Sequence, residues 1–97
     1  MSADYDSAIS KSAKRSIEAD EIFEDLAIQD IRDTADLLKS VYQGSNRVDG
    51  YACLEVSPHL AHDTPGTIRA AERIFTTLDR PNVMIKVPAT EEGIPAI

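Results

Sequence analysis

Apolar and polar positions alternate along two short stretches of the chain, and the stretches around them repeat at helical spacing. In Tyr51-Ala52-Cys53-Leu54-Glu55-Val56-Ser57, the residues Ala52, Leu54 and Val56 share one face of an extended chain, while Cys53, Glu55 and Ser57 share the other. The run Asn82-Val83-Met84-Ile85-Lys86-Val87-Pro88 repeats this design. Val83, Ile85 and Val87 form its apolar face, with Asn82, Met84 and Lys86 opposite. Each predicted strand thus carries one charged group near its C-terminal end. Between them, residues 67–78 read as a helix with an apolar stripe of Ile68, Ala71, Phe75 and Leu78. Asp63 or Thr64 is placed to cap it, Pro65 suits its first turn, and Asp79-Arg80-Pro81 stops it. Strand, helix, strand is a βαβ unit, so the class is α/β. It implies parallel neighbours joined by a right-handed crossover, with the apolar faces toward helices.

Upstream, the pattern is helical. Residues 2–17 carry a weak stripe of Tyr5, Ala8, Ile9 and Ala13, as expected of a surface helix. Asp20 can cap a second helix, in which Ile22, Phe23, Leu26 and Ala27 face inward and Glu21, Glu24 and Asp25 outward. A further helix is predicted over about residues 29–42 from Ile31, Ala35, Leu38 and Val41. Within it Asp30 and Asp33 come early and Lys39 late, which complements the helix dipole. Periodicity does not show whether these two helices are one. Gly44-Ser45-Asn46 is a stop signal, and Asp49-Gly50 a turn into the first strand. After the second strand, Thr90-Glu91-Glu92-Gly93-Ile94-Pro95 reads as a loop entering a helix, with Thr90 as its N-cap.

Size limits what these elements can build. A complete α/β barrel takes ~250 residues, and this chain has 97. It reads as one continuous piece, without repeats or a Gly/Ser/Pro-rich linker. A net charge of -7 argues against non-specific DNA or anionic-membrane binding, both of which reward clustered Lys and Arg. A small molecule or another protein is the expected partner. One cysteine forms no internal disulfide, no run approaches the ~20 apolar residues of a membrane span, and the polar N-terminus fails as a signal peptide. The cytoplasm is the default compartment.

Candidate chemistry centres on Lys86. Lysine is among the residues least often buried, so a strand carrying one between Ile85 and Val87 either lets it reach solvent or uses it. A free lysine is almost wholly protonated at neutral pH, its pKa being ~10.4, and desolvation inside a packed barrel would favour the nucleophilic neutral amine. Such an amine attacks a ketone to form a Schiff base, which accepts electrons when a neighbouring carbon–carbon bond breaks. Glu55, directly or through a water, could move the protons that dehydration and hydrolysis require. The same two residues also fit a buried ion pair, or a lysine snorkelling from an edge strand. His59, His62 and Asp63 do not supply the spacing of a zinc site and read as an ordinary loop before a helix. Cys53 reads as a small buried residue, and Tyr51 and Met84 as lumen or core packing.

The segment Gly50-Tyr51-Ala52-Cys53-Leu54-Glu55-Val56-Ser57-Pro58, then His62-Asp63-Thr64, then Asn82-Val83-Met84-Ile85-Lys86-Val87-Pro88-Ala89-Thr90-Glu91-Glu92-Gly93 resembles transaldolase. The helices before it, from Asp20-Glu21-Ile22-Phe23 through Asp30-Ile31-Arg32 to Asp36-Leu37-Leu38, are similar to that family's stretch ahead of its third strand. The resemblance implies that residues 1–97 are one partial domain, a fragment of a (β/α)8 TIM barrel containing barrel strands three and four with their preceding helices. By it, Lys86 corresponds to the Schiff-base lysine and Glu55 to the glutamate that works with a catalytic water. The family moves a dihydroxyacetone unit from sedoheptulose 7-phosphate or fructose 6-phosphate to an aldose phosphate in the pentose phosphate pathway, without metal or cofactor. A related Schiff-base aldolase, which releases the three-carbon unit, is the nearest alternative. A non-catalytic acidic helical module is another. Missing are the first strand with its general acid/base aspartate, the second with its threonine and asparagine, and everything beyond the fourth, including the arginine-containing phosphate site. The expectation is therefore a fragment inactive alone, with open sheet edges through which copies could associate.

Overall fold

The computed structural model describes residues 3–15 and 18–97. A 3₁₀ turn at Ala3–Tyr5 leads into α1 (Asp6–Arg15), followed by α2 (Ala19–Leu37) and α3 (Lys39–Gly44). Strand β1 (Ala52–Glu55), a 3₁₀ turn (Pro58–Leu60), helix α4 (Thr64–Leu78), strand β2 (Val83–Lys86) and a last 3₁₀ turn (Ile94–Ala96) complete the order. No Gly or Pro interrupts residues 18–43, so the two helices predicted there form mostly one, α2, with a break at Leu38 before α3. Its N-cap is Glu18 rather than Asp20, and that side chain makes no capping bond. Asp20 and Glu21 instead sit in the first turn, where negative charge faces the positive end of the dipole. Asp30 and Asp33 are therefore mid-helix and cannot serve the dipole as expected. Asp30 accepts a hydrogen bond from the Tyr5 hydroxyl (2.8 Å), and Asp33 one from Gln29 Nε2 (2.9 Å).

The expected turn into β1 is present. Asn46 and Arg47 take left-handed conformations, and Gly50 has φ +83°. A Cβ at Gly50 would stand 2.4 Å from the Tyr42 amide nitrogen, so only glycine lets the chain pass α3 this closely. Strands β1 and β2 pair in parallel, with Ala52 beside Val83, Cys53 beside Met84, Leu54 beside Ile85 and Glu55 beside Lys86.

The core lies on one face of this sheet, where Ala52, Val56 and Val83 meet Ile28 and Ala35 of α2 and Ala70, Ile74 and Leu78 of α4. Leu54, Ile85 and Val87 pack partly against it, as the alternation predicts. Helix α4 is capped by Asp63, whose Oδ1 accepts from the Gly66 N–H (2.9 Å), and ends on Asp79 in a left-handed conformation. Its buried face differs from the expected stripe: Thr67, Ala70, Ile74 and Leu78 are buried, while Ile68 is 38% and Phe75 49% exposed. Two apolar rows at helical spacing compete here. The row with the smaller residues near its start lets the helix approach the sheet closely.

Other inward expectations shift in the same way. Ser12 is buried in α1 rather than Ala13, Phe23 of α2 is 72% exposed, and Val41 is exposed. Arginines join α2 to the α4–β2 region. Arg32 donates to the Thr77 and Leu78 carbonyls (2.6 and 3.3 Å) at the end of α4, and Arg80 pairs with Asp36 (2.6 Å). Arg73 grips the Glu24 carboxylate with two nitrogens, so Glu24 is half-buried rather than solvated. Asp25 is also half-buried.

Candidate active site

Because β1 and β2 are parallel and in register, Glu55 and Lys86 stand side by side on neighbouring strands, whose spacing is roughly 4.8 Å. Each is the last residue of its strand, and both lie on the face turned away from the helices. The alternation therefore placed the amine and the carboxylate correctly, on one side of one sheet. Both are exposed, and among the described residues no ion pair joins them. A buried ion pair is thus not what this structure contains. Below them on the same face are Cys53, exposed rather than buried as expected, and Met84, which is exposed on the open face rather than packed in the core. Tyr51 lies just before β1, edge-on to Tyr42 with ring centroids 5.4 Å apart, and its hydroxyl donates to the Arg47 carbonyl.

Asn82 departs most from its predicted place. Instead of sharing the open face with Lys86, it is 2% exposed, and its Nδ2 donates to the carbonyls of Ala35 (2.8 Å) and Gly50 (2.9 Å). Strand β2 starts only at Val83, so the alternation does not extend back to Asn82. One amide thereby fastens the start of β2 to α2 and to the turn before β1.

At the other end of the strands, the loop after β1 and the loop after β2 are bonded to each other. Thr64 Oγ1 donates to the Glu92 carbonyl, and Thr90 Oγ1 donates to the Ala61 carbonyl. Thr90 also accepts from the Gly93 N–H (2.9 Å) and so closes its own turn, but the element that follows is a short 3₁₀ turn with Gly93 at its N-cap, not the helix capped by Thr90 that the pattern predicts. A Cβ on Gly93 would lie 1.9 Å from the Pro88 carbonyl oxygen, which makes glycine obligatory in this turn. His62 Nδ1 lies 3.1 Å from Glu92 Oε2; this bond, together with a backbone one, holds the Glu92 carboxyl below its ordinary range. His59 faces Asp20 at 3.5 Å, so the two histidines belong to separate pairs. Among the described residues no three His, Cys, Asp or Glu side chains gather closely enough to hold a metal ion. The interloop hydroxyl bonds left no trace in periodicity; only the threonines' positions beside turn residues hinted at a capping role.

A cleft of about 550 Å³ opens beside the outer edge of β1, between the first half of α2 and the strand's C-terminal end. Glu55 lines it, with Phe23, Leu54, Ser57 and His59, and Lys86 does not. The carboxylate therefore borders two spaces, the open sheet face and this cleft.

Over residues 1–97 the chain matches the family described as transaldolase/fructose-6-phosphate aldolase. The chain belongs to that family. It is 45% identical over 93 residues to transaldolase 2 of Nostoc punctiforme, a match covering 96% of this chain and 24% of that protein. With the transaldolase of Saccharopolyspora erythraea it shares 43% identity over 95 residues, 98% of this chain and 25% of the relative. The chain spans about a quarter of the length of these transaldolases. A parallel β–α–β unit with helices over one face is consistent with part of a TIM barrel of this family. Among the described residues no helix is long and apolar enough to cross a membrane.

Proposed function

We propose that this chain supplies the Schiff-base half of a transaldolase active site, with β1 and β2 as barrel strands three and four of a partial domain spanning residues 1–97. One observation carries the reading: Glu55 and Lys86 are register partners at the C-terminal ends of parallel strands, on the face away from the helices. That end of the strands is where (β/α)8 enzymes place their chemistry. Lys86 Nζ attacks the C2 carbonyl of a ketose phosphate to give a carbinolamine, and loss of water leaves an iminium ion. As a base supplied from outside these residues takes the C4 hydroxyl proton, the C3–C4 bond breaks, its electron pair moves into the iminium to form an enamine, and an aldose phosphate departs. The enamine then attacks the aldehyde of an acceptor aldose phosphate, and hydrolysis frees Lys86. Glu55 exchanges the protons of dehydration and hydrolysis through a water between the two side chains. The iminium is itself the electron sink, so this chemistry requires no metal or cofactor. Covering strands would remove the solvent that now reaches Lys86, which is why the 97-residue chain alone is expected to be inactive. The setting is cytoplasmic sugar-phosphate metabolism, the pentose phosphate pathway.

The test uses a barrel in which these residues are completed by the flanking sequence of the Nostoc punctiforme relative. With fructose 6-phosphate and erythrose 4-phosphate it should make sedoheptulose 7-phosphate. Free dihydroxyacetone would instead indicate the aldolase outcome, which the family description also includes. Lys86→Ala should lower turnover by at least ~10³-fold, as loss of a nucleophile does. Glu55→Gln should slow it by roughly 10²–10⁴-fold, the size of a general acid–base contribution. Turnover retained in Lys86→Ala would refute the assignment.

A further inference from the structure

Lys86 and Glu55 are the last residues of their strands, where the Val56 N–H still donates to the Lys86 carbonyl (3.1 Å), so the two loops that follow leave directly from the pair and bear on how its side chains are held. Only Val87, Pro88 and Ala89 separate Lys86 from Thr90. The loop after β2 is tied to the β1 side at two points by threonine hydroxyls. Thr90 Oγ1 reaches the Ala61 carbonyl in the loop after β1, and Thr64 Oγ1, in the first turn of α4, reaches the Glu92 carbonyl. The same Thr90 hydroxyl also accepts from the Gly93 N–H, so a single oxygen both closes its own turn and holds the neighbouring loop. Both threonines are half-buried, and Gly93 is buried against the Pro88 carbonyl, leaving the turn little freedom to adjust.

We infer that Thr64 and Thr90 are positioning residues, whose hydroxyls join the two loops into one body and so hold the Lys86 amine in line with the Glu55 carboxylate. This rests on the Schiff-base reading of Lys86. Neither threonine touches the reacting atoms. Their effect is on alignment, where a displacement of ~1 Å can cost ~10²-fold in rate. A positioning role falls on kcat rather than on substrate binding. It also depends on the hydroxyl rather than on side-chain volume, since valine copies the shape of threonine and serine copies its oxygen.

In the completed barrel, kcat and KM for transfer are measured for Thr64→Val, Thr90→Val, their combination, and Thr90→Ser, alongside borohydride trapping with fructose 6-phosphate. The expected result is a ~10²-fold fall in kcat for the double valine variant, about 10-fold for each single, with KM within ~3-fold and Thr90→Ser near the parent. Should the double variant not fold, the two single variants carry the same signature. An unchanged kcat in both single variants, a change confined to KM, or an equal loss in Thr90→Ser would each overturn the inference while trapping at Lys86 persists. Failure of the unsubstituted barrel to form any trapped adduct would instead overturn the Schiff-base reading on which it rests.

Discussion

Asn82 shows how much one polar side chain can hold. Its buried amide satisfies two backbone carbonyls, from α2 and from the turn before β1, at the point where β2 begins. Truncation strands both acceptors away from water, so Asn82→Ala should cost about 2–3 kcal/mol. In urea this would be a lowered midpoint with an unchanged slope. An effect under ~0.5 kcal/mol, the size of an ordinary surface substitution, would show that water replaces the amide without penalty. Sequence pattern could not have found this role. A polar residue ahead of a strand looks the same whether it faces solvent or two orphaned carbonyls, and strict alternation assigned it to the wrong face. Glu55 and Lys86 were legible for the converse reason: each is flanked by apolar residues that must point into the core, which leaves the charged groups only the other side.

Among the elements, the strands, the stops and the cap of α4 were readable because each has a local cause, whereas α2 starts at Glu18 rather than at the expected Asp20 cap. Asp63 caps α4 through its own side chain, and Gly50 is demanded by a close backbone approach. The facing side of α4 was not readable. Ile68 and Phe75 look like core residues by hydrophobicity, but Thr67 and Ala70 are smaller and let the helix settle nearer the sheet. The join between α2 and the α4–β2 region was equally hidden, since it depends on arginines meeting carboxylates and backbone carbonyls far away in sequence. The Arg80 guanidinium beside Asp36 holds that carboxyl below its usual range, chiefly through their hydrogen bond. A depressed folded-state pKa means that the pair's contribution is present above the unfolded carboxylate pKa and is lost as the pH falls through the folded value. Asp36→Asn should therefore flatten the acid limb of stability against pH below about 4. An unaltered acid limb, measured by denaturant titration at each pH, would mean that the pair contributes nothing to folding.

As a whole, the molecule is more open than its size requires. Its radius of gyration is 14.8 Å, against about 13 Å for a compact domain of ~100 residues. Its accessible surface of 6755 Å² exceeds the roughly 5,500 Å² expected of a compact chain of this mass. The excess agrees with a two-stranded sheet covered on one face only, with Met84, Cys53, Glu55 and Lys86 on the other. Unpaired strand edges invite further strands. The sedimentation coefficient of the 97-residue chain should accordingly rise with concentration, and a constant monomer value would exclude association through those edges. The measurement that bears most directly on the function proposed here is peptide mapping of the completed barrel after borohydride reduction in the presence of fructose 6-phosphate. A single reduced sugar adduct on Lys86, absent from Lys86→Ala, is the predicted result. An adduct on any other lysine, or none in a barrel that still transfers the three-carbon unit, would contradict it.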